Sequence, residues 1–139
     1  MDDAIASYLR ASEANDLEAL METIAPDAEL VSPLSGRMTF RGHDDLRVLL
    51  GAVYSTLSDL RWGEQMGAGP ARVAIGECKV GPFRMSDAMA FELAEDGRIN
   101  RIRPHLRPWL ATTLFAILLG PQIARHPGVV ARAARSAKL

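Results

Sequence analysis

The chain has 139 residues, 48% of them hydrophobic and 24% charged. That is one domain with enough chain to bury a core and the composition of an ordinary soluble globular protein. A formal net charge of −1 excludes a global field favouring nucleic acid or acidic lipid. The single cysteine, Cys78, excludes an internal disulfide, and its strand-like neighbours suit a buried thiol. The acidic start, Met1-Asp2-Asp3-Ala4, lacks the basic segment and apolar core of a signal peptide, so a cytoplasmic location is expected.

Ile5, Tyr8, Leu9 and Ser12 recur at helical spacing and predict a first helix over Asp3 to Ala14. Asn15-Asp16 is a break and an N-cap. Leu17, Leu20, Met21 and Ile24 predict a short second helix that Pro26 ends. Ala28 to Ser32 reads as a strand closed by Pro33, Leu34 to Arg37 as a turn around Gly36, and Met38 to Phe40 as a short extended piece. Gly42 opens the longest helix, with Asp44 and Asp45 in the first turn, where the helix dipole favours negative charge. Its apolar stripe is Leu46, Leu49, Leu50, Val53, Tyr54 and Leu57, and it ends by Asp59.

Leu60 to Met66 and Ala71 to Val80 read as strands separated by the Gly67-Ala68-Gly69-Pro70 loop. From Phe83 the odd positions are Phe83, Met85, Asp87, Met89, Phe91 and Leu93, and the even positions are small or polar. That period of two makes a half-buried strand. Glu95-Asp96-Gly97-Arg98 turns it into a second run, Ile99 to Leu106, as an antiparallel hairpin. Pro108 starts a helical extension. Trp109 to Leu119 is apolar on nearly every side and too short to span a bilayer, which needs ~20 residues. Gly120-Pro121 stops or kinks it, and a basic helix from Pro127 to Ala137 ends the chain. Arg125, Arg132, Arg135 and Lys138 have no acid near them in sequence and suit a phosphate-binding tail or, as the plainer reading, a solvated helix end favoured by the helix dipole. The division is therefore residues 1–107 and an extension, 108–139. The architecture is α+β: a curved antiparallel sheet wrapped on N-terminal helices, leaving a conical cavity.

Asp87 breaks an apolar face. A carboxylate between Met85 and Met89 either faces a cavity, where desolvation raises its pKa, or is paired with an arginine or a helix amide. Tyr8 either donates its hydroxyl into the cavity or is a core residue with its hydroxyl at the rim. Trp62, Met66, Met85, Met89 and Phe91 line the cone or simply fill it. His43-Asp44-Asp45 is no metal site, because three adjacent side chains cannot converge as ligands. Arg101, Arg103 and His105 share one face, opposite Asn100, Ile102 and Pro104, and suit an interface on the convex side. There is no phosphate loop, metal-ligand set or nucleophile elbow.

Four motifs in order carry a resemblance. Tyr8-Leu9-Arg10-Ala11-Ser12-Glu13-Ala14-Asn15-Asp16-Leu17 resembles the opening helix and Asn/Gly-Asp-Leu break of the nuclear-transport-factor-2-like superfamily. Ala25 to Leu30 resembles its Asp-Asp-Ala entry to the first strand, Phe40 to Leu46 its entry to the long helix, and Phe91 to Ile99 its later hairpin. That superfamily includes SnoaL-like polyketide cyclases, ketosteroid isomerases and limonene-epoxide hydrolases, so the resemblance implies the conical α+β fold but no one function. Compared with the isomerases, the oxyanion-hole tyrosine falls on Tyr8 and the general-base aspartate on Ser32. The protonated acid falls near Met89, with Asp87 one pleat away on the same face.

The resemblance thus implies a protein that binds, or acts without a cofactor on, a small hydrophobic carbonyl-bearing molecule. Asp87 would be acid or base and Tyr8 the hydrogen-bond donor. Ser32, Trp62, Met66, Met85, Met89, Phe91, Asn100 and Ile102 would form the pocket, with no metal. The alternative is a non-catalytic dimeric interaction protein with a filled cavity. No nucleic acid partner is expected. A helix without a polar side must be buried on both, so Trp109 to Leu119 should lie between its own domain and a second copy, or cap the cone under a partner. A symmetric homodimer is the expected arrangement. A membrane-surface helix is the rival, disfavoured because Trp109 to Gly120 carries no charge.

One outcome follows from Ser32. General-base catalysis contributes ~10²–10⁴-fold, and an unaided serine forfeits it. No isomerisation of β,γ-unsaturated ketosteroids is expected in an absorbance assay for the conjugated product. Turnover that Ser32→Ala abolishes, or turnover carried by Asp87 alone, would overturn this.

Overall fold

The computed structural model describes residues 3–35 and 37–136. Gly36 in the expected turn, and the expected helix end at Ala137 with Lys138, lie outside the described residues. The elements are α1 (Ala4–Glu13), α2 (Leu17–Glu22), β1 (Ile24–Val31), β2 (Thr39–Arg41), α3 (His43–Thr56), β3 (Ser58–Met66), β4 (Ala71–Val80), β5 (Phe83–Leu93), β6 (Ile99–Arg103), β7 (Leu106–Arg107), α4 (Trp109–Ala124) and α5 (Pro127–Ser136). This is the expected α+β class, with N-terminal helices on a curved sheet and a helical C-terminal part.

The sheet runs β2-β1-β6-β5-β4-β3, with β7 also paired to β5. All pairs are antiparallel except β1 with β6, which is parallel. Ile5, Tyr8, Leu20, Leu46 and Leu50 from the helices meet Ile24, Met85, Phe91, Ile99 and Ile102 from the sheet in one buried cluster.

Local chemistry explains the N-terminal half. Asp3 caps α1 by accepting from the Ala6 amide, and Asp16 caps α2 by accepting from Ala19. Asn15 takes the left-handed conformation, φ 53°, that the break between them requires. The second helix stops before Ile24, and the first strand begins there, not at Ala28. Thr23 turns its hydroxyl back to the Leu20 carbonyl, and its own carbonyl accepts from the Ile99 amide, which commits the chain to the sheet. Pro26 therefore lies inside β1. It is tolerated because the β1–β6 register shifts between Ile24 and Glu29, where a residue without an N–H leaves no ladder bond unmade.

The expected continuous strand from Ile99 to Leu106 is broken into β6 and β7 at Pro104-His105. Pro104 has no amide to donate, and the His105 amide leaves the ladder. The extension also differs from its sequence reading. Helix α4 runs through Gly120-Pro121 to Ala124, with Pro121 on the exposed side beside Ile117, and the sharp bend of 112° comes only between α4 and α5. Arg132 is no free helix-end charge: its guanidinium bonds both carboxylate oxygens of the buried Asp45, at 2.8 and 2.9 Å, and so ties α5 to the start of α3. This bond holds the Asp45 carboxyl below its usual pKa.

One row crosses four strands: Trp62 pairs with Gly76, Gly76 with Asp87, and Asp87 with Leu106. The Trp62 indole lies over Gly76, so a Cβ there would come within 2.7 Å of the ring. The ring cannot slide away freely, because its Nε1 donates to Ser12 Oγ at 2.9 Å while its amide donates to Glu13. Gly76→Ala should therefore destabilise the fold by ~1–3 kcal/mol, the usual cost of overpacking, and shift tryptophan emission. Unchanged urea melts and spectra would show that the indole is not fixed there.

Candidate functional site

Between the concave face of the sheet, α3 and α4 lies a cavity of about 450 Å³. Its wall is almost wholly apolar: Leu30, Phe40, Leu49, Leu50, Val53, Leu57, Met85, Met89 and Leu106 surround it. Phe115, Leu119 and Ile123 on the inner face of α4, with Val130 of α5, close it on one side. The polar groups in the wall are few: Asp87, Tyr54, Ser32, Ser35, Cys78 and Trp62. Asp87 is the one carboxyl among the described lining residues.

Its placement follows from the strand period and the break after β6. Met85, Asp87 and Met89 share the inward face of β5, and Gly76 opposite Asp87 leaves the space above it to Trp62. Asp87 is 9% exposed. Its Oδ1 accepts from the His105 amide at 3.2 Å, the amide released at Pro104-His105, and among the described residues nothing bonds Oδ2. Among the described residues no arginine or lysine pairs with it. Burial pushes its pKa up to about 7, and the His105 amide offsets part of that rise. The carboxyl is therefore near half-protonated at neutral pH and can either take a proton or give one.

Tyr54 faces the same cavity from α3, and its hydroxyl shares a 2.7 Å hydrogen bond with that of Tyr8. Tyr8 lies behind it, fully buried, with its ring edge-on to Phe91 at 5.3 Å. Burial raises the pKa of both phenols, and the Asp87 charge adds to this, so both remain neutral donors. When Tyr8 donates to Tyr54, the Tyr54 proton is free to point into the cavity. Burial, helped by the Asp87 charge, pushes the Cys78 thiol up to about 11, which leaves it un-ionised and a poor nucleophile at neutral pH.

Of the residues the sequence singled out, Asp87, Ser32, Trp62, Met85 and Met89 meet in this wall. Tyr8, Phe91 and Ile102 are buried in the core beside it, whereas Met66 is 47% exposed at the end of β3 and Asn100 is exposed on β6. None of these five lines the cavity. Asn100 falls where the β5–β6 register shifts, between the Leu93–Ile99 and Glu92–Arg101 pairs, so it steps out of the alternation and into solvent, while Ile102 stays in the buried cluster. Ser32 is a turn residue whose Oγ accepts the amides of Leu34 and Ser35. His43 bonds the Ile24 carbonyl through Nε2 at 2.7 Å, and no metal-binding cluster occurs among the described residues. Arg101 pairs with Glu29 and Glu92 rather than standing free with His105.

Sequence reasoning missed Tyr54, Gly76 and the His105 amide. Tyr54 carried a signal, since a tyrosine in the apolar stripe of a helix must place its hydroxyl somewhere polar. Pro104 carried another, as a proline inside a strand run.

The sequence matches the SnoaL-like domain family over residues 5–102. No curated protein matches it. Among solved structures, an uncharacterised protein with a cystatin-like fold from Silicibacter pomeroyi DSS-3 superposes with a TM-score of 0.85 at 20% identity, covering 96% of this chain and 93% of that one. A steroid delta-isomerase from Pseudomonas aeruginosa superposes with a TM-score of 0.80 at 20% identity, over 90% and 92% of the two chains. A de novo designed protein with a curved β-sheet reaches 0.68 at 17% identity, over 82% and 90%. At such identities these similarities establish the fold alone.

The unpaired burial of Asp87 makes stability depend on pH. Between the ordinary aspartate value of 3.8 and about 7 the unfolded chain has lost the proton that the folded chain keeps. Stability therefore falls as pH rises through that window and levels off above it. Asp87→Asn keeps an acceptor for the His105 amide and removes the slope. It should match the wild type at low pH and exceed it above neutrality by on the order of 2–4 kcal/mol, read from urea melts at several pH values. A large loss of stability at every pH would mean that a cation holds this carboxylate.

Proposed function

The chain belongs to the SnoaL-like domain family, and from that premise we propose that it binds a small hydrophobic carbonyl-bearing molecule in the cone and moves a proton on it without a cofactor. The observation that carries this reading is Asp87, with a pKa of about 7, as the one carboxyl among the described residues of an apolar wall that Tyr54 also lines. An apolar cavity of about 450 Å³ suits a ligand held mainly by burial of its hydrocarbon. Its carbonyl oxygen would accept from Tyr54, whose geometry is held by Tyr8 behind it. Asp87, ionised, would remove a proton from the carbon beside the carbonyl and return it elsewhere on the same molecule. Developing negative charge on the oxygen is then met by a preorganised donor in a dry site. The ordinary isomerase base position is Ser32, so Asp87 would have to serve from a different strand, which favours substrates other than those isomerases take.

The test is exchange of α-protons of a bicyclic ketone such as 2-tetralone in deuterated water, followed by NMR. Catalysed, saturable exchange is expected, with a rate that rises with pH and levels off above about 7 as the Asp87 carboxylate forms. Asp87→Asn should abolish it. Tyr54→Phe should slow it by ~10²-fold, the order seen when one such donor is lost. Exchange that Asp87→Asn leaves intact would remove Asp87 from the chemistry. The absence of any saturable binding by apolar ketones would favour a filled, non-catalytic interaction protein.

A further inference from the structure

We propose that the outer face of α4 docks on an anionic lipid surface. Helix α4 is apolar on two sides. Its inner side, through Ala111, Phe115, Leu119 and Ile123, is buried against the domain. Its outer side is not covered: Trp109 is 77% exposed and Ile117 63%, with Leu110 and Leu118 also exposed. Leu110, Thr113, Ile117 and Pro121 follow one line along that side, and it holds no charged residue. A contiguous apolar face of this kind marks an interaction surface.

Charge decides between the candidate occupants. Eight of the sixteen Lys and Arg residues follow Asp96 in the sequence, and none of the seventeen acids does. Arg98, Arg101 and Arg132 turn to acids from earlier in the chain: Asp96, the pair Glu29 and Glu92, and Asp45. Arg107 directly before α4, Arg125 at its C-cap, Arg103 and Arg135 are exposed and make no ion pair among the described residues. The charge missing from the helix itself is thus supplied at both of its ends. A second copy packed on this face about a two-fold axis would bring two such arginine sets together with no acid from the same region to receive them. Anionic headgroups receive them directly, while Trp109, Leu110 and Ile117 enter the boundary below. Among the described residues no helix is long and apolar enough to cross a bilayer, and the α4–α5 pair is bent by 112°, so α4 would lie in the surface plane. Its inner face would still line the cavity, placing one helix between lipid and cone.

The test is co-sedimentation of the full chain with vesicles of phosphatidylcholine and phosphatidylglycerol in equal parts, against pure phosphatidylcholine. Binding to the anionic vesicles alone is expected, weakened by salt. It should fall by about tenfold or more in Ile117→Glu, and equally in Arg107→Glu combined with Arg125→Glu, each checked for an unchanged circular dichroism spectrum. Failure to bind anionic vesicles at low salt, or equal binding to neutral ones, would overturn the proposal. So would light scattering that shows a dimer split by Ile117→Glu, because the second copy would then be the occupant.

Discussion

A carboxylate can stand in an apolar cavity only if something other than water accommodates its charge or its proton. Here the accommodation is a single backbone amide. The chain gives up one ladder bond at Pro104-His105, and the freed His105 amide meets Asp87 from the neighbouring strand. One donor is too little to hold the group ionised and enough to fix its orientation, so its pKa comes to rest near neutrality. The rest of the cone is arranged around that compromise. Gly76 clears the space beside Asp87, Trp62 fills it, and Ser12 with Glu13 ties Trp62 to the end of α1.

The two tyrosines show how a helix and a strand cooperate at the same spot. Tyr8 from α1 has no access to the cavity, yet its hydroxyl is the described partner of Tyr54, which does. A buried phenol without a partner would be costly, and pairing two of them settles both while leaving one proton to spare. Their high pKa values and the raised value of Asp87 share a cause, the removal of water from this end of the cone.

The C-terminal helices belong to the same economy of burial. Phe115 and Leu119 on α4 complete the apolar wall, and Arg132 on α5 satisfies Asp45, which would otherwise be a buried charge at the start of α3. The helix that closes the cavity inwardly presents Trp109 and Ile117 outwardly. Both faces follow from one composition, since a segment with no charge from Trp109 to Gly120 cannot offer water a favourable side.

Much of the architecture was legible in the residues because it rests on short-range pattern. The period-two run through Met85, Asp87 and Met89 gave the inward face of β5, Gly97 gave its turn at φ 89°, and Asn15-Asp16 gave the first break. Those signals depend on local sterics and on which face avoids water, and both are written in consecutive side chains. What lay beyond them depends on which segment arrives opposite. Pro26 reads as a helix stop, but the parallel partner β6 draws the chain from Ile24 into the sheet. Asn100 and Ile102 read as one face, but the register shift between β5 and β6 takes Asn100 out of the alternation and into solvent. Tyr54 and Tyr8 are separated by forty-six positions, and only the packing of α1 on the same cone brings their hydroxyls together. The sequence by itself determined that Asp87 stands on an apolar face. Only the tertiary structure decided that, among the described residues, a backbone amide rather than a cation meets it, because the set of groups around a buried charge is a property of distant segments meeting in space.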